Sequence, residues 1–141
     1  MNSYTPIALK RFFAYWFLMY LTMYVVNFGL YILASAGIHS IFSWLLLFAS
    51  PTFFFLGGFF YSKSLPHRWA GWLWTGVIWV VLSIIVSALL MPTVYGVSSS
   101  IGLSIGVWKG GVINVVMVIL GSLVQDRLLH RAEAQKLSTR S

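Results

Sequence analysis

The sequence has no cysteine and only two acidic residues, Asp126 and Glu133, in 141. Without cysteine there are no disulfides, thiolate metal sites, iron–sulfur clusters or thiol redox chemistry. The shortage of carboxylates excludes as much. Both lie close to the C-terminal end, so no apolar segment carries the acidic group that proton- or cation-coupled transporters hold within the membrane. Charge of either sign is scarce: 8% of the residues, where a soluble domain has about 25%. No phosphate-binding glycine loop is present, because Gly57-Gly58 and Gly110-Gly111 fall in or beside apolar segments.

Apolar residues fill the space these absences leave. Sixty per cent of the chain is hydrophobic, and the mean hydropathy is +0.89. No soluble fold of this length hides so much apolar surface. A soluble enzyme, a disordered chain and a nucleic-acid-binding domain are thereby excluded. The net charge of +7 does not change this, because the basic residues do not gather on one face. An all-α integral membrane protein is expected.

Four apolar runs have the ~20 residues that cross a ~30 Å hydrocarbon core. They run from about Phe12 to Leu33, Ile41 to Tyr61, Gly71 to Met91 and Ile101 to Val124. The connections Ala34–Ser40, Ser62–Ala70 and Pro92–Ser100 are short, so consecutive helices should be antiparallel and adjacent. A single domain results, with a basic tail from Gln125 to Ser141. Lys10-Arg11, an apolar stretch and Ala34-Ser35-Ala36 resemble a cleavable signal peptide. The stretch is longer than the usual 7–15-residue apolar region of such a peptide, so an uncleaved first span is expected.

The basic residues orient the bundle. Lys10 and Arg11 precede the first span, Lys63 and Arg68 lie in the middle connection, and Arg127, Arg131, Lys136 and Arg140 follow the last. Four crossings put all of these on one side, and the two opposite connections hold no Lys or Arg. The positive-inside rule then makes both termini cytoplasmic. Tyr15, Trp16, Trp69, Trp72 and Trp74 suit an aromatic belt at that interface. The basic tail should favour anionic headgroups at the cytoplasmic face. Within it, Asp126 and His130, and Glu133 and Lys136, are spaced for weak same-helix pairing.

Function is sought among polar residues inside the spans. Tyr20, Tyr24, Asn27 and Tyr31 share one face of the first helix, and that face should look into the bundle or at a partner. It either makes hydrogen bonds between helices or lines a groove for a ligand. Gly102, Gly106 and Gly110 recur every four residues in the fourth span, with Asn114 next in the series. Such a face lets helix backbones approach closely and adds a cross-helix hydrogen bond, within the chain or between chains. Gly76, Ser83 and Ser87 form a weaker small-residue face in the third span. Pro51 predicts a kink or a backbone gap, and Gly57-Gly58 permit another close approach. Lys109 lies sixteen residues before Gln125, about 24 Å along the helix. It can snorkel to the outer interface, where it is a candidate contact for an anion or lipid headgroup.

Catalytic constellations are missing. His39 falls on the side opposite His67 and His130, so the three cannot converge on a metal or haem. No serine has a His or Lys base within plausible reach. The size and four spans resemble those of small multidrug resistance antiporters, which use a glutamate in the first helix; Phe12–Leu33 contains none, so that mechanism is not carried over. No internal repeat marks an inverted-topology transporter. In size and layout the chain resembles small four-helix proteins of the bacterial cytoplasmic (inner) membrane. The expected function is non-enzymatic and cofactor-free: an accessory, assembly or immunity-type subunit acting through helix–helix contacts with a membrane-protein partner. A homo-oligomeric channel or carrier for ions or small molecules is the other reading.

Overall fold

The computed structural model describes residues 6–35, 39–62, 69–96, 98 and 105–138. They form four long helices, α1 (Pro6–Ser35), α2 (His39–Ser62), α3 (Trp69–Leu90) and α4 (Ile105–Ser138), with a π-helical turn at Met91–Tyr95. Among the described residues there is no strand. Three helical segments among the described residues are long and apolar enough to cross a membrane: Leu9–Leu33, Trp69–Val94 and Val107–Lys136. In α2 the described apolar stretch is Leu47–Ser62, within a helix of 24 residues.

Local chemistry sets several of the boundaries. Pro6 opens α1, where a fixed φ and a missing N–H are tolerated. Pro92 falls in the π-helical turn that ends α3, and Gly96 follows with a φ of +64°, a conformation that favours glycine. Pro51 does not end α2, which continues through it. The backbone gap there is one missing N–H opposite the Leu47 carbonyl. One residue further on, the Thr52 hydroxyl donates to the Phe48 carbonyl at 2.8 Å. The fourth helix begins at Ile105 and runs to Ser138, so most of the basic tail continues the helix. There the His130 ring donates to the Asp126 carbonyl at 2.9 Å, and its Nδ1 lies 3.8 Å from the Asp126 carboxylate.

The packing order differs from the chain order. The most extensive contact joins α2 to α4; α1 lies against α2, and α3 against α4. Although consecutive, α2 and α3 bring little backbone together, contrary to the adjacency expected from their short connection. The reason is partly reach: six intervening residues can extend roughly 20 Å, more than the diagonal of a helix square with 8–10 Å sides. The other reason is small residues. A Cβ added at Gly58 would overlap the Val118 carbonyl, and one at Gly121 would overlap the Phe55 carbonyl. Only glycine lets α2 and α4 meet backbone to backbone at these two levels. The Ser122 hydroxyl donates to the Gly58 carbonyl at 3.2 Å across the same contact.

Around that pair the core is aromatic. Trp79 of α3 is fully buried and reaches across to Tyr61 of α2 and Phe12 of α1, with ring centroids 5.3 and 5.7 Å away. Phe54, Met19 and Val118 complete the centre. Phe13, Phe17, Leu18, Leu21 and Val25 on the other side of α1 are exposed. With apolar residues on both sides, hydropathy alone cannot tell the buried face of α1 from the exposed one. The α2–α4 contact is marked instead by the small residues Gly58, Gly121 and Ser122.

Candidate functional site, a polar cavity between the helices

The face Trp16–Tyr20–Tyr24 of α1 is a ladder of rings at four-residue spacing. Trp16 stacks on Tyr20 with centroids 5.5 Å apart, and Tyr20 on Tyr24 at 6.2 Å. The Trp16 indole N–H donates to the Trp79 carbonyl at 3.2 Å and to the Ser83 hydroxyl at 3.1 Å. Tyr20 and Ser87 share a hydrogen bond of 2.9 Å. These long side chains hold α1 to α3 where the backbones stand apart.

Beyond the ladder, toward the ends of α1 and α2 nearest residues 36–38, is a cavity of about 280 Å³ lined by all four helices. Its polar groups are Asn27 from α1, Ser50 from α2, Ser83 and Ser87 from α3, and Asn114 from α4. Met23, Phe54, Val80, Ile84 and Val107 supply apolar wall. Between Val107 and Asn114, Gly110 and Gly111 put no side chain on the α4 wall. The Asn114 amide nitrogen donates to the Ser50 hydroxyl at 3.0 Å. Its carbonyl oxygen, like that of Asn27, is buried with no hydrogen-bond partner. A buried acceptor in that condition costs about 1–3 kcal/mol. Two such acceptors, Asn27 and Asn114, line this one cavity.

The candidate residues read from the sequence divide accordingly. Tyr20 is buried, Tyr24 and Asn27 are partly buried, and Tyr31 is half exposed, so the polar face enters the bundle over three of its four members. Asn114 makes a cross-helix bond within the chain. Gly110 is not at a close helix contact: a Cβ there would meet nothing within 4 Å, because the residue borders the cavity. Gly102 lies outside the described residues; Gly106 lies within α4, but its surroundings fall outside them. Lys109 and its neighbour Trp108 are exposed. Three members of the expected aromatic belt turn inward instead. Tyr15 packs against Tyr61 with ring centroids 5.6 Å apart. Trp16 donates into the bundle, and Trp72 is buried, while Trp69 and Trp74 are exposed.

Sequence patterning alone missed the inward role of Trp16, and it missed Ser50 and the Gly121-Ser122 pair. Trp16 stands four residues before Tyr20 and so continues the face by the same spacing rule. Gly121 and Ser122 stand three and four residues after Val118, which is itself four after Asn114; these spacings put all four on one face. Gly76 was legible, and a Cβ there would press on Val115 of α4 at 3.3 Å. Among the described residues no three His, Cys, Asp or Glu side chains come together as metal ligands.

The chain matches no protein-family model, no curated protein and no solved structure.

Proposed function

We propose that the chain is a small integral membrane protein with four crossings and both termini on the cytoplasmic side of a bacterial inner membrane. In this reading it acts without catalysis, as an accessory, assembly or immunity-type subunit that contacts a membrane-protein partner. The observation that carries it is the use of the interior polar groups. Trp16 with Ser83, Tyr20 with Ser87, Asn114 with Ser50, and Ser122 with the Gly58 carbonyl each tie one helix to another. Amides, hydroxyls and an indole do this; none of them carries charge. Such an interior sets a rigid shape, and a rigid shape with a broad apolar exterior acts through contact.

The order of contacts supports an alternating bundle. Phe12 meets Tyr61 and Met19 meets Gly57, a pattern that supports opposite directions for α1 and α2. Gly76 meets Val115 and Val80 meets Gly111, which does the same for α3 and α4. Arg127, Arg131 and Lys136 are exposed on the last turns of α4, suited to anionic headgroups beside a cytoplasmic leaflet. Exposed Lys109 suits headgroups at the opposite interface.

The second reading, a homo-oligomeric carrier or channel, is favoured by the cavity. Purification in mild detergent with mass analysis of what co-purifies separates the two. A stoichiometric foreign membrane protein supports the accessory reading. A homo-oligomer that transports or conducts in liposomes, with no such partner, overturns it.

A further inference from the structure

We propose that the cavity between Asn27, Ser50, Ser87 and Asn114 is a binding site for a small uncharged molecule that carries a hydrogen-bond donor, such as an alcohol, phenol or amide, on an apolar body. This requires binding only, and stands whether the chain works as an accessory subunit or as a carrier.

Four observations converge on that chemistry. The first is the pair of acceptors. Asn27 on α1 and Asn114 on α4 line the same cavity, and each has a buried carbonyl oxygen without a partner. A ligand that donates hydrogen bonds completes what the protein leaves incomplete.

The second is size. A cavity of about 150 Å³ lined by apolar side chains takes benzene. One of about 280 Å³ takes a substituted ring or a short branched chain. Gly110 and Gly111 keep the α4 wall flat.

The third is polarity. Met23, Phe54, Val80, Ile84 and Val107 give the cavity an apolar half, beside the five polar side chains already named. They suit an apolar body as well as the amides suit a polar head. The level fits as well. Asn114 lies eleven residues before Gln125 and Ser50 twelve before Ser62, about 16–18 Å of helix from the basic end. A molecule dissolved in the membrane meets the site without crossing an aqueous phase.

The fourth is charge. Among the described residues no charged side chain lines the cavity, so an anion or a cation would meet no counter-charge from them. The hydroxyl oxygens are also engaged: Ser83 accepts from Trp16 and Ser50 from Asn114. Lone pairs turned toward N–H donors suit a cation poorly. A hydroxyl that accepts in this way keeps its own proton to donate, so the site can also give a hydrogen bond to the oxygen of an alcohol.

The test uses the full chain reconstituted in lipid and a photoactivated probe, trifluoromethyl-diazirinyl benzyl alcohol. Its methyl ether has the same body but no donor. The alcohol should label Met23 and the stretch Val107–Asn114, and excess benzyl alcohol should suppress that labelling. The ether should label the same residues roughly tenfold less, the factor that one hydrogen bond commonly supplies. Asn27→Leu should lower labelling by the alcohol, and Asn27→Leu combined with Asn114→Leu should bring it to the level of the ether. Equal labelling by alcohol and ether would overturn the donor requirement. Labelling confined to exposed residues such as Phe17 and Leu120 would overturn the site, and would fit a cavity that holds only water. The comparison of the two probes needs no variant, so it decides the matter even where a variant fails to fold. Failure to capture a protein partner would affect none of these results.

Discussion

The Asn114 amide on α4 donates to the Ser50 hydroxyl on α2 at 3.0 Å, and its carbonyl oxygen remains buried without a partner. One side chain thus fastens two helices and leaves an acceptor on the cavity. Asn27 has the acceptor without a described tie of that kind. The two asparagines should therefore respond differently to the same change. Asn114→Leu should destabilise the protein by roughly 0.6 kcal/mol and at most ~2, the range for hydrogen bonds between helices in lipid. Asn27→Leu should be neutral or stabilising, because it removes an acceptor that has no bond to lose. Reversible unfolding in detergent measures both, and a clear loss of stability in Asn27→Leu would show that its amide is tied to a neighbouring helix.

The closest backbone approach is at Gly58 and Gly121, where α2 meets α4. Gly58→Ala and Gly121→Ala should each destabilise by about 1–3 kcal/mol or more, since the added carbon strikes backbone that has no rotamer to change. Gly110→Ala should stay within about 0.5 kcal/mol, as its Cβ would enter open space. Thermal unfolding of the three variants ranks them. Equal tolerance at all three would mean that α2 and α4 are not in direct backbone contact.

Trp16 and Ser83 join α1 to α3 through a hydrogen bond of 3.1 Å. A double-mutant cycle of Trp16→Phe and Ser83→Ala should give a coupling of roughly 0.6 kcal/mol, at most ~1.7. The second acceptor of the same N–H, the Trp79 carbonyl, keeps that coupling below the full effect of Trp16→Phe. Additive effects would mean that the two side chains do not meet.

Much of the fold is legible in the sequence, because apolar length alone marks helices. Spans drawn at Phe12–Leu33 and Gly71–Met91 fall within or just past α1 and α3. Partnerships were less legible. Hydropathy does not separate a face buried against protein from one buried against lipid, so the choice of α4 over α3 as the main neighbour of α2 rests on Gly58, Gly121 and Ser122. Strict periodicity at Gly102, Gly106 and Gly110 was the more visible pattern, yet Gly110 borders a cavity. Of the polar stripe on α1, Tyr20 is buried and Asn27 lines the cavity. The continuation of that stripe through Trp16 was obscured because tryptophan near a basic terminus also suits a membrane interface. The cavity itself was not legible, since it needs Ser50 and Asn114 brought together from positions 64 residues apart.

Four crossings with both termini in the cytoplasm underlie both the proposed function and the level of the cavity, and reporter fusions test them in one experiment. Fusions after Ser141 and within Ser62–His67 should report the cytoplasm, and a fusion at His39 should report the external side. A C-terminal fusion on the external side would contradict the four-crossing bundle and, with it, the placement of the cavity within the membrane.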